Sequence, residues 1–245
     1  MDNMRSGSDS ASRGCSTANA LALSPQNPAA QRNRLSLPWC RRALDYNPRM
    51  ADSLYLSLWF PSFAEPEMMP RLLSVLRQFP FSASETGVTY VAVHPVAWSE
   101  PTVMERRFRP GVAPEEAIGI AGELLHDDYA YSFEAAWDLW TPTESGQWTL
   151  RPSRVRFIAH GLAFDDGIYQ EAGHVQVDFG LDTPFLFDDV DLNEISEQRI
   201  RANVQKLVNF TNAVEKNCAV TGRVLWSESE ENLAQKLIAR LQKVQ

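Results

Sequence analysis

The stretch from His174 to Trp226 constrains the fold most. It reads as a strand, H-V-Q-V-D-F-G, then a helix over about Asn193–Cys218, then a second strand, T-G-R-V-L-W. The helix carries Ile200, Val204, Leu207, Val208, Thr211, Val214 and Cys218 at three- and four-residue spacing, so one stripe is apolar. In the first strand Val175, Val177 and Phe179 take one face, and His174, Gln176 and Asp178 take the other. A helix with one apolar stripe needs a sheet to lie on, and these strands supply one.

The same two periodicities recur upstream. S-L-Y-L-S-L-W-F from Ser53 reads as a strand, and Glu65–Phe79 as a helix whose Met69, Leu72, Leu73, Leu76 and Phe79 face inward. Gly87 opens V-T-Y-V-A-V-H-P-V, and T-V-M-E-R-R-F follows as a third strand, broken at Pro110-Gly111. Pro114 with Glu115 and Glu116 starts a second helix, because acidic side chains suit the positive end of its dipole. Tyr129, Tyr131, Phe133, Ala135, Trp137 and Leu139 then alternate with polar residues as a half-buried strand.

Residues 52–141 therefore give the order βαββαβ, which is ferredoxin-like. After a linker at 141–146, residues 147–245 give ββαβα, with Asp165-Asp-Gly167 expected as a hairpin turn. Asp191 with Glu194, and Ser227 with Glu230, are expected as helix capping boxes. The last helix presents Leu233, Leu237, Leu241 and Val244 on one face. The expected fold class is α+β, with two halves packed as one compact body over residues 50–245.

Residues 1–49 differ. They hold seven Arg, three Asp and no Lys or Glu, so they carry +4 and leave −12 on the remainder. Ser, Asn, Ala and Pro dominate, and little apolar surface is available to offset the entropy of ordering. A disordered tail is expected, with Met50 as a natural start.

Charge and cysteines narrow the function classes. A net charge of −8 argues against nucleic-acid binding, which needs a basic face to displace counterions. Cys15, Cys40 and Cys218 are too few and too widely spaced for a disulfide framework, which points to a reducing, cytoplasmic setting. No apolar run approaches the roughly 20 residues of a membrane helix, so no membrane span is expected. Nucleotide-binding, metalloprotease, serine-hydrolase and EF-hand motifs are absent, and no cofactor is implied.

Four weak constellations remain. His160, His174 and Asp178 would converge as an acid/base or metal-ligand set if the two strands of the second half paired in the right register; otherwise they are the solvent face of a hairpin. Asp178, Asp182, Asp188, Asp189, Asp191 and Glu194 form an irregular acidic run whose last members suit a helix N-terminus. Glu134 and Asp138 lie roughly 13 Å apart along one strand, too far for paired carboxylate catalysis, and salt bridges to Arg106, Arg107 or Arg109 are the better reading. Trp140 is opposite in phase to Trp137, so one of the two is expected at the surface. An exposed Trp140 beside Glu134 and Asp138 reads as an interface.

Two functions follow. The first is an acidic protein-interaction module, of the inhibitor or immunity type, that binds a basic partner. The second is a hydrolytic enzyme built on His160, His174 and Asp178, with or without a metal.

Overall fold

The long helix and its flanking strands fold as the pattern requires, but on a larger sheet than either half would build alone. The computed structural model describes residues 52–186 and 193–228, together with Leu233, Gln235, Leu237 and Ile238. The expected tail at 1–49, Met50, the Asp188–Asp191 run, and Glu230, Leu241 and Val244 lie outside the described residues.

In chain order the elements are β1 (Ser53–Trp59), α1 (Glu65–Leu76), β2 (Val88–Pro95), β3 (Met104–Val112), α2 (Pro114–Gly122), β4 (Tyr129–Pro142) and β5 (Trp148–His160). A 3-10 turn (Phe164–Gly167) and the short α3 (Tyr169–Ala172) lead into β6 (Val175–Leu181). Then come α4 (Thr183–Leu186), α5 (Glu194–Asn217) and β7 (Gly222–Ser227). The strands form one seven-stranded antiparallel sheet in the order β3-β2-β4-β5-β6-β1-β7.

This order corrects the ferredoxin-like expectation. A closed βαββαβ unit would seat β1 among β2, β3 and β4. Here β1 pairs with β6 and β7 instead. The expected linker at 141–146 is the turn of the longest hairpin, in which β4 and β5 pair from Ala130↔His160 to Pro142↔Trp148. The two groups of elements are interleaved in one sheet. β3 also runs on through Pro110, where a break was expected, because it is an edge strand and proline is tolerated there.

One face of the sheet carries the helices. Leu56, Val91, Phe133, Phe157 and Val177 point into it, and Met68, Leu72 and Val75 of α1, Ala117 and Ala121 of α2, and Ile200, Val204, Leu207 and Phe210 of α5 pack on them. At its centre Trp137, fully buried, packs on Phe79 and Phe179 with ring centroids 5.5 and 5.3 Å away. Each such ring stabilises the fold by roughly 1.5–3 kcal/mol. Leu233 and Leu237 join this core, as their spacing predicts. α5 is capped by Asn193, whose side chain accepts the Ser196 N–H at 2.9 Å.

The end of β4 beyond Ala135 has β5 on one side and no strand on the other. α5 takes the missing strand's place. Asn203 accepts the Trp140 N–H and donates to the Trp140 carbonyl, both at 2.9 Å, and Lys206 donates to the Asp138 carbonyl at 2.5 Å. An otherwise bare edge is thereby closed.

Candidate functional site

Side chains alternate along each strand, so whatever lies between the core positions points to the opposite face. Among the described residues the 3-10 turn, α3 and Trp98 from the β2–β3 connection cover part of that face. Register sets its rows. One row crosses all seven strands: Arg107, Tyr90, Glu134, Arg156, Asp178, Tyr55 and Trp226, each opposite the next. The next row is Glu105, Ala92, Ser132, Ile158, Gln176, Ser57 and Val224. In the second row the small Ala92, Ser132 and Ser57 are buried, and the larger Ile158 and Gln176 stand between Ser132 and Ser57.

The chain between β5 and β6 packs onto this face. Phe164 is fully buried against Ala130 and Ile158, with Ile168 beside it, as a small second apolar cluster. This cluster explains why Asp165-Asp-Gly167 is not a plain hairpin turn: Asp165 and Asp166 themselves take left-handed backbone (φ 46° and 55°), and the segment folds down onto the sheet. Trp98 leans edge-on against Phe164, His94 and His160, with ring centroids 5.1, 4.8 and 6.1 Å away.

On this face lies a cleft of about 500 Å³, bounded by Trp98, Tyr55 and Trp226, floored by Ile158 and Gln176, and edged by Arg156, Asp178 and Glu171. Its aromatic walls are fixed. Tyr55 stacks on Trp226 at 4.7 Å, and the Trp226 indole donates to the Ser57 hydroxyl at 3.0 Å. Burial, with the charges of Asp178 and Glu228 nearby, pushes the Tyr55 phenol up, so it stays neutral. Arg156 turns to Glu134 at 3.2 Å. That leaves Asp178 with the Gly180 N–H, at 2.8 Å, as its one hydrogen-bond partner, and with no ion pair, among the described residues.

The sequence-predicted residues separate. His160 is buried and lines the cleft. Its Nδ1 is 2.9 Å from the Gly173 carbonyl, which can only accept, so Nδ1 carries the proton and Nε2 is the acceptor. Burial holds its pKa down at about 4. Gly173 is required there: its φ is +93°, and a Cβ would lie 2.7 Å from the Leu58 nitrogen. His174 does not line the cleft. Its ring stacks on Phe63 and Tyr169 at 4.7 and 5.0 Å, its Nδ1 accepts the Phe60 N–H at 3.0 Å, and burial lowers its pKa. Asp178 shares the cleft with His160. Among the described residues, no group of three or more His, Cys, Asp or Glu is placed to hold a metal.

Glu134 pairs with Arg156 rather than with the β3 arginines; Arg107 lies over the Tyr90 ring instead, 4.7 Å from its centre. Asp138 is tied inward by the Ser82 hydroxyl at 2.6 Å and the Ala83 N–H at 3.1 Å. Burial would raise its pKa, but these bonds and Lys206 outweigh it and hold the carboxyl below its ordinary value. Trp140 is half-buried beneath Arg199, whose guanidinium lies 3.7 Å from the ring centre. Glu134, Asp138 and Trp140 thus each have a separate partner.

The sequence reading missed Tyr55, Trp98, Arg156, Glu171 and Trp226. Its signal was there in part, since alternation places Arg156 and His160 on one face, but the strand order that brings Tyr55 and Trp226 beside them is non-local. The sheet's end beside the cleft is acidic. Backbone hydrogen bonds of 2.8 Å tie Val96 to Asp128 and Asp165, and Ala163 to Asp127. Asp127, Asp128, Asp165 and Asp166 so gather around the exposed Val96, Trp98 and Leu162. No described helix is long and apolar enough to cross a membrane. Comparison with known proteins found no matching family model, no similar curated protein and no similar solved structure.

Proposed function

We propose that this chain is a protein-binding module, of the inhibitor or immunity type, that recognises a basic partner through the face of its sheet opposite the helices. The observation that carries the reading is the cleft on that face, with fixed aromatic walls and an Asp178 that has no ion pair among the described residues. Aromatic anchors on a preformed surface supply contact area at little entropic cost. The acidic loops at Asp127 and Asp165 supply long-range attraction for a basic partner, in keeping with the net charge of −8.

The test is capture from native lysate with the full chain as bait, compared with Gln176→Arg. Gln176 is half-buried and lines the cleft, so that substitution places bulk and positive charge in it, on the face away from the helical core. A basic protein retained in stoichiometric amount, released at high salt and not held by a Gln176→Arg variant of unchanged thermal unfolding supports the reading. No basic protein retained, or equal retention by the variant, overturns it.

Hydrolysis in the cleft has one observation in its favour, the shared lining by His160 and Asp178. A base held at about 4 is weak at neutral pH. Turnover of activated carboxylate or phosphate esters by the full chain, lost in Asp178→Asn, would put this reading first.

A further inference from the structure

We propose that the cleft between Trp98 and the Tyr55–Trp226 pair seats an arginine side chain of the partner. The proposal rests on the binding reading above and specifies what that site receives. Three features select a cation. Asp178 is half-buried, held in place by the Gly180 N–H, and has no ion-pair partner among the described residues. Glu171 is exposed at the rim and likewise has none. The cleft's own cation, Arg156, is engaged by Glu134, and within the cleft lining Asp178 and Glu171 outnumber it; Arg154 adjoins Asp178 outside that lining. A carboxylate left without a cation in a partly desolvated cleft gains most from a charged donor.

The walls select guanidinium over ammonium. Stacked Tyr55 and Trp226 present a flat aromatic surface, and the exposed Trp98 presents another. A guanidinium is planar, weakly hydrated and stacks on such faces, while its fork of N–H groups reaches a carboxylate edge-on. An ammonium keeps its water and offers no plane. His160 adds no competing charge, because burial keeps it neutral above about pH 4, and its Nε2 is a further acceptor. Gln176 on the floor offers a side-chain carbonyl.

The full chain is titrated with N-acetyl-arginine amide, N-acetyl-lysine amide and N-acetyl-citrulline amide, followed by the indole N–H resonances of Trp98 and Trp226. Citrulline keeps the shape of arginine and removes its charge. The arginine probe is expected to give saturable shifts of both indoles with a Kd of about 1–10 mM, as suits one side chain without its protein. The lysine probe should bind at least about threefold more weakly, and the citrulline probe should not saturate. Asp178→Asn, which keeps the acceptor for Gly180, should weaken the arginine probe about tenfold.

Equal binding of citrulline, equal binding of lysine, no saturable shift, or an unchanged Kd in Asp178→Asn each overturns the proposal. Shifts that grow with protein concentration alone assign the cleft to a second copy and overturn it too. The two readings fail separately. A basic partner captured equally by Asp178→Asn leaves the module standing and removes the arginine from the cleft. A probe that binds as expected without any captured partner does the reverse.

Discussion

Replacing Asn203 with alanine removes the side chain that closes the bare end of β4. Asn203 is 1% exposed and makes three hydrogen bonds: it accepts the Trp140 N–H at 2.9 Å, and donates to the Trp140 and Pro184 carbonyls at 2.9 and 3.0 Å. Each lost bond costs about 1 kcal/mol where water can step in, and up to about 3 where it cannot. Trp140 and Pro184 are half-buried, so about 3 kcal/mol in total is expected. Alanine's higher helix propensity returns roughly 0.6 kcal/mol. The net loss of about 2–3 kcal/mol corresponds to a fall in Tm of about 5–10 °C for a domain of this size. Urea unfolding at unchanged m-value measures it, and loss of hydrogen-exchange protection at the Trp140 amide localises it. Asn203→Asp keeps the acceptor but turns a carboxylate oxygen towards two carbonyls. It should be worse than alanine at pH 7 and recover as the pH falls and the carboxyl regains a proton. An alanine variant within about 0.5 kcal/mol of the parent, or an aspartate variant more stable than alanine at pH 7, refutes the strand-replacement argument.

His160 ties stability to pH. Its folded pKa of about 4 lies below the ordinary value of about 6.5, so between those limits the unfolded chain takes up a proton that the folded protein refuses. Its contribution is complete above about pH 6.5 and declines by about 1.4 kcal/mol per unit as pH falls towards 4. Urea midpoints at pH 7, 6 and 5 should drop less steeply in His160→Gln, and parallel profiles would contradict the assignment. Gly87→Ala should destabilise by more than about 2 kcal/mol, because φ there is +75° and the new Cβ would meet the Val112 carbonyl oxygen at 2.2 Å; a Tm within 2 °C of the parent would argue against that turn. A double-mutant cycle on Glu134 and Arg156 should give a coupling of only about 0.5–1 kcal/mol, since the Arg156 side chain is half exposed. A value above about 2 kcal/mol would mean the pair is far less solvated.

What local pattern encodes was legible in the chain. The alternation over Tyr129–Leu139 and the stripe through Ile200, Val204, Leu207 and Val214 predict a strand and a helix, and both are present, with all of those apolar residues buried except the half-buried Tyr129. The stripe omitted Phe210 and Asn203, which are buried because α5 meets both the core and the edge of β4. Strand order was not legible. Alternation tells a strand which face is apolar but not which neighbour it pairs with, and β1 reaches β6 and β7 from far along the chain. The expected His160–His174–Asp178 set shows the same limit. His160 and Asp178 do share a cleft, but Gly173 turns the chain so that His174 stacks on Phe63 and Tyr169 instead.

The face opposite the helices also departs from what solvation alone would select. A strand face that only meets water is free to carry long polar side chains at every outward position, and these shield the backbone beneath them. Here long side chains fill the row from Arg107 to Trp226, while the adjacent row carries the small Ala92, Ser132 and Ser57 on three different strands, with Ile158 and Gln176 between Ser132 and Ser57. Their alignment depends on the full order β2-β4-β5-β6-β1, so no local turn or hairpin accounts for it. Burying the small apolar cluster of Ala130, Ile158, Phe164 and Ile168 then raises the second wall, and with it the acidic loops. A cleft with aromatic walls and a carboxylate that has no ion pair among the described residues is what the proposed contact requires. The helical face, by contrast, is filled by Trp137 and its neighbours.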